Sequence, residues 1–314
     1  MLPDIEWGIL GPRAPAFQSH LTPDNRLARI NPAMKLLPQT LLAALFLGSG
    51  CAMIGERVVT ERTQAPNLFL GRLGGVTAIG WAAEDAALWI ASRKSGLEKW
   101  VQGRPPVKLG PRDRFFTALA IEGTSLILAD SAQGRIMRFD RTGTPGAVLA
   151  ATFRGTPLGD ARGLAVHSSG AVFLLDVGGA LLHLSTDGRL EAVPIPASAN
   201  CLLVSGHQLF LGLAGQSGVW ALELSADGQP RGAPWQCFAL KSSPAAMGVD
   251  HEGALLLGLG NHVQRYTRAG ETRQVWDLGA PVTAITVGGS KGRMAFLATD
   301  NDLFRVHLPS SYGQ

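Results

Sequence analysis

The segment Ala118-Leu-Ala-Ile-Glu-Gly-Thr-Ser-Leu-Ile-Leu-Ala-Asp130-Ser-Ala-Gln-Gly-Arg135-Ile-Met-Arg-Phe-Asp140-Arg-Thr-Gly143 reads as three short apolar strands separated by polar, glycine-bearing turns. Such a unit is an antiparallel meander, and alone it cannot bury both of its faces. Its opening strand has five counterparts: Thr77-Ala-Ile-Gly-Trp81, Arg162-Gly-Leu-Ala-Val166, Asn200-Cys-Leu-Leu-Val204, Ala245-Ala-Met-Gly-Val249 and Thr283-Ala-Ile-Thr-Val287. Measured between the central residues Ile79, Leu119, Leu164, Leu202, Met247 and Ile285, the spacings are 40, 45, 38, 45 and 38 residues. A repeat of that length is one supersecondary unit per period.

Six meanders arranged radially cover each other's faces and leave only short edges, so the expected fold is all-β, a six-bladed β-propeller. The sixth unit ends soon after its third strand, and Asn67-Leu-Phe-Leu-Gly-Arg72 precedes the first unit as a strand without a meander. That N-terminal strand is expected to complete blade six and close the ring. Fourth strands elsewhere are expected at 107–109, 146–151, 189–193, 235–240 and 272–278. Thirty-nine glycines, 19 prolines and 17% charged residues agree with the turn density of an all-β chain. Second strands such as Ala171-Val-Phe-Leu-Leu175 are almost continuously apolar, as expected between two neighbouring blades. Residues 67–314 thus read as one domain.

The first 66 residues differ in kind. Residues 1–33 show no periodic pattern and contain five prolines, and read as upstream or disordered sequence ahead of a start at Met34. Met34-Lys35, the apolar run Leu41-Leu-Ala-Ala-Leu-Phe-Leu47 and the small residues Gly48-Ser-Gly50 before Cys51 have the layout of a secretory signal over 34–50. The ending resembles a bacterial lipoprotein box, although Gly48 stands where leucine is usual and Leu47 lies one place earlier. The resemblance implies lipidation at Cys51, a tether over 51–66 and, with Ala52 following the cysteine, an outer-membrane lipoprotein facing the periplasm of a bacterial envelope.

Cys201 and Cys237 fall on the innermost and outermost strands of blade four, roughly 14 Å apart at ordinary strand spacing, which is beyond disulfide reach. The net charge is +4. Leaving out the first 50 residues, with four basic and three acidic side chains, gives +3. So even a balance argues against a nucleic-acid partner. The histidines are scattered without metal-ligand spacing, and there is no nucleophile elbow, so no catalytic residue, metal or cofactor is assigned.

The repeats resemble the NHL family of propellers. The resemblance rests on strand, turn, strand, Asp130, a polar loop, Arg135, strand and Asp140-x-x-Gly143, repeated with Asp176 and Asp187-Gly188. Blade one has Ser92 and blade four Leu213 where that family often places Asp. The geometry of the fold then puts Arg93, Arg114, Asp130, Arg162, Asp176, Asn200, Asn261 and Asp300 at one face, with Arg112 and Phe115 among their neighbours. This face is the expected binding surface for a polar small molecule or a protein. Trp100, Trp235 and Phe115-Phe116 are the candidate apolar anchors for a protein partner. The main expectation is a non-catalytic binding or scaffolding module. The alternative is a calcium-dependent lactonase, by likeness to the gluconolactonase-like propellers, with Asn200, Asp176 and Asn261 as candidate ligands. Against it, Gly74-Gly-Val-Thr77 offers no carboxylate at the start of blade one.

Overall fold

The computed structural model describes residues 66–71, 73–111, 113–267 and 270–309, together with the backbone of 57 and 58. The expected leader, Cys51, residues 1–33, most of the tether and Arg112 lie outside the described residues.

Six antiparallel sheets follow one another along the chain as the blades of a propeller. Their inner strands are Val76–Ala82, Phe116–Glu122, Gly163–Val166, Ala199–Ser205, Ala246–Val249 and Val282–Gly288, each within one residue of the expected position at either end. The ring closes as expected. Asn67–Leu70 pairs antiparallel with Leu303–His307, setting Asn67 opposite Arg305 and Leu68 opposite Phe304. Backbone bonds from Leu73 N to Asn301 O (2.9 Å) and from Val76 N to Asp300 O (3.0 Å) continue that seam into blade one.

The core shows why six units are needed. Buried side chains form six clusters, and each cluster joins two neighbouring blades, including blades six and one. Successive residues of a strand point to opposite faces. Leu126 and Leu128 therefore enter the cluster shared with blade one, while Ile127 and Ala129 enter the cluster shared with blade three. Second strands are buried almost throughout, and completely in Ala87–Ser92 and Val172–Leu175. Large side chains such as Trp89, Phe116 and Trp276 are fully buried, and each aromatic of this kind contributes about 1.5–3 kcal/mol relative to exposure.

Three features depart from the expected layout. Arg57–Val58, within the tether, pairs in parallel with the outer strand Glu271–Asp277 and adds a fifth strand to blade five. A small hairpin, Thr152–Phe153 with Thr156–Pro157, follows the outer strand of blade two and accounts for the longer spacing before blade three. The outer strand of blade four, Pro230–Phe238, begins five residues before its expected start, because it pairs along nearly all of Val219–Leu224. The candidate anchors divide in the same way. Trp100 and Phe116 are core, Trp235 is half-buried, and Phe115 alone is well exposed. Cys201 and Cys237 are buried, and each thiol donates to a different carbonyl, Pro244 O and Val219 O. Burial pushes the Cys201 thiol up to about 12, which keeps it protonated and unreactive.

Candidate functional site

In a meander, the turns between second and third strands emerge at the same end as the links from one blade to the next. All eight candidate residues sit at or near this end of the ring, but they do not form one cluster. Arg93 and Arg162 do converge, with Phe115, Ser131, Asp160 and Val177, on a depression of about 420 Å3 between blades one to three. Arg162 also reaches the axial channel, a space of about 110 Å3, whose lining includes Asn200, Thr77 and Thr283. Deeper in the channel the inner strands present Ile79, Leu119, Leu164, Leu202, Met247 and Ile285, the six residues that mark the repeat.

The extra hairpin builds one side of this mouth. Its chain leaves through Leu158, whose N–H lies within hydrogen-bonding distance of Gly134 O (3.2 Å) and Ala151 O (3.0 Å). Thr117 Oγ1 donates to Gly159 O at 2.9 Å. Asp160 Oδ1 then accepts a bond from Ser131 Oγ at 2.5 Å, and Arg162 N donates to Leu175 O at 2.8 Å. The result is a mouth with two exposed guanidinium groups and one carboxylate already engaged by a hydroxyl. Its apolar walls are Phe115 and Val177, 42% and 51% exposed.

Among the remaining candidates, Arg114, Asp130 and Asp176 serve the fold. Asp130 is fully buried, with Oδ2 3.0 Å from Arg114 Nη1 and Oδ1 accepting from Gln133 N at 3.1 Å. Burial pushes its carboxyl above the ordinary value, against the lowering effect of the Gln133 N–H and of the Arg114 and Arg135 charges. Asp176 Oδ1 accepts from Ala180 N at 2.8 Å and so fixes its own turn. In blade one Ser92 does the same work, accepting from Lys94 N (3.0 Å) and Ser95 N (3.1 Å) while donating to Gly74 O (2.9 Å). Asn200 Nδ2 is 3.5 Å from Ser243 Oγ. Asn261 and Asp300 are exposed, and their backbone carbonyls accept from Leu278 N and Val76 N. The recurring Asp of the repeat is thus turn chemistry in these blades. Ser131 and Val177 were missed by the sequence reading. Each directly follows a repeat Asp, and that adjacency was the signal available.

A hard divalent cation takes six to eight oxygen ligands, several of them charged. Among the described residues, no three His, Cys, Asp or Glu side chains converge in this way. Of the three candidate ligands Asn200 lines the channel, whereas Asp176 and Asn261 stay in the turns of blades three and five. Arg162 brings a positive charge to the same wall. These residues do not fit a calcium cage.

No protein-family model and no curated protein matches the chain. Solved structures resemble it in fold. A gluconolactonase from Xanthomonas campestris aligns with TM-score 0.68 and 16% identity over 78% of this chain and 95% of that one. The calcium-binding protein regucalcin of Agrobacterium tumefaciens aligns with TM-score 0.62 and 16% identity over 82% and 96%. A chain of a nidogen/laminin complex aligns with TM-score 0.56 and 16% identity over 67% and 84%. The chain therefore shares the β-propeller fold of these structures.

Proposed function

We propose that this propeller binds a small carboxylate-bearing polar molecule at the channel mouth, with Arg162 and Arg93 as its charge-recognising groups. The convergence of these two guanidinium groups on one depression carries the reading. Arginine's planar donors match a carboxylate in a bidentate manner, and apolar walls beside them lower the local dielectric. The test is calorimetric titration of small hydroxylated carboxylates such as gluconate into the protein, repeated with Arg162→Met. Saturable binding that weakens about tenfold or more in the variant supports the reading. Absence of binding, or binding indifferent to Arg162, overturns it.

The second reading is lactone hydrolysis at the same mouth, and it is favoured by the fold likeness to gluconolactonases. Gluconolactone turnover that a chelator abolishes and calcium restores would establish it over simple binding. A protein scaffold draws less support, because two of its four expected apolar anchor residues, Trp100 and Phe116, are core.

The proposal extends to location. Lys35, the 41–47 apolar run and Cys51 support a lipid-anchored envelope protein. Mass spectrometry of the mature N-terminus after expression from Met34 tests this, and a chain retaining residues before Cys51 would refute it. Cys51→Ala is expected to release the protein from the membrane.

A further inference from the structure

The turn between first and second strands lies at the end of each meander opposite the channel mouth. At that end, on the seam between blades six and one, is a cavity of about 180 Å3 lined by Trp81, Trp100, Phe296, Arg293, Arg305 and His307, among others. We propose that this cavity is a second binding site, separate from the mouth, for a small aromatic carboxylate.

Its floor is an ordered aromatic stack. The rings of Trp81 and Phe296 lie 5.3 Å apart at 11°, and Trp100 meets Phe296 at 6.1 Å and 65°. Trp81 is held in place from below, since a Cβ at Gly288 would overlap its indole ring. The Trp81 backbone N–H also donates to Thr286 Oγ1 at 3.3 Å. Phe296 covers one face of the Trp81 indole and Gly288 the other, so an aromatic occupant meets this floor at its ring edges, edge to face.

The walls are cationic and unanswered. Among the described residues, neither Arg293 nor Arg305 makes a side-chain hydrogen bond or ion pair, and Arg293 Nε is buried without a partner. Their backbones are fixed: Leu308 N donates to Arg293 O at 2.8 Å, and Arg305 lies opposite both Asn67 and Phe296 in its sheet. Buried polar groups without partners are rare in folded proteins, and a carboxylate would satisfy this one with charge-assisted bonds. The cavity lies below the roughly 300–1,000 Å3 of pockets for drug-sized ligands, which limits the occupant to one or two rings and excludes a nucleotide.

The experiment titrates indole-3-acetate into the full-length protein by calorimetry, with indole, acetate and decanoate as comparison ligands. We expect one saturable site for indole-3-acetate, weaker binding of the others, and a loss of about tenfold or more in Arg293→Met and Arg305→Met. Ser290→Trp, at the exposed rim, is expected to block the cavity without touching the core. Arg162→Met is expected to leave this binding unchanged, which separates it from the mouth. The proposal fails if indole-3-acetate does not saturate, if decanoate binds equally well, or if both arginine variants and Ser290→Trp retain full binding. Loss of binding in Arg162→Met alone would likewise overturn it. Circular dichroism melts establish that each variant is folded.

Discussion

Arg114 and Asp130 form an ion pair inside blade two, with Nη1 3.0 Å from Oδ2 and side-chain exposures of 14% and 0%. The guanidinium also sits 5.9 Å from the Phe139 ring and donates to Met137 Sδ at 3.6 Å. Removing one partner of such a pair leaves an uncompensated buried charge, which costs about 3–5 kcal/mol. Arg114→Met is therefore expected to lower unfolding free energy by about 3 kcal/mol in urea titrations. Asp130→Asn should cost less, because the guanidinium it leaves unpaired is 14% exposed whereas the carboxylate left by Arg114→Met is fully buried. The double variant should recover part of the Arg114→Met loss, since the two residues are coupled.

Ring closure through Asn67–Leu70 predicts the outcome of truncation. Phe69 packs 5.0 Å from Trp100 and 5.9 Å from Phe296, so deleting residues through 72 removes aromatic contacts and bares the edge of Leu303–His307. A loss of roughly 3 kcal/mol translates to a fall of roughly 10 °C in Tm for a domain of this size. The bared edge should also raise the concentration-dependent aggregation seen by light scattering. An unchanged melt would contradict the seam.

His183 gives the fold a pH dependence. It is buried in blade three, 4.9 Å from the Phe173 ring, with Nε2 lacking a hydrogen-bond partner. Burial holds its pKa below the ordinary 6.5, opposed by the charges of Glu191, Asp227 and Asp187. The unfolded chain consequently binds more protons below about pH 6.5, so the stability associated with this group is present above that pH and is lost as pH falls through the depressed folded value. His183→Phe should flatten that part of the profile. Denaturation midpoints at about pH 7.5 and about pH 5 check it, and an identical slope in the variant would refute it.

Gly159 links the hairpin to the mouth. A Cβ there would overlap Asp130 O and come within 2.6 Å of Gly134 Cα. Gly159→Ala is expected to push the 158–162 segment away from the 131–134 loop, shifting Asp160 and Arg162. Stability should fall by about 1–3 kcal/mol, as for other overpacked sites. Carboxylate binding at the mouth should weaken along with it, while binding of indole-3-acetate at the far end persists.

The inner strands were legible because each is a short, mostly apolar pentad that recurs every 38 to 45 residues, and the second strands because burial on both faces confines polar residues to their ends. The hairpin was not legible: two-residue strands such as Thr152–Phe153 have no periodicity, and their exposure leaves no apolar signal. The pairing of Arg57–Val58 with blade five was hidden because a two-residue strand has no periodicity. At the site, Arg93 and Arg162 followed from the alternation of turns, which assigns loops to one end of the ring. Asp130 looked identical to Asp176 in the repeat, yet one is buried against Arg114 and the other fixes a half-exposed turn.

Blade number, blade order and the strand that closes the ring can all be read along the chain, since each is a property of local pattern and spacing. Tertiary structure alone decided which polar groups face a ligand. Side chains far apart in the chain, Arg93 with Arg162 and Trp81 with Arg293, meet only when the ring closes, and a charge is answered or left open only by the neighbours that closure brings to it.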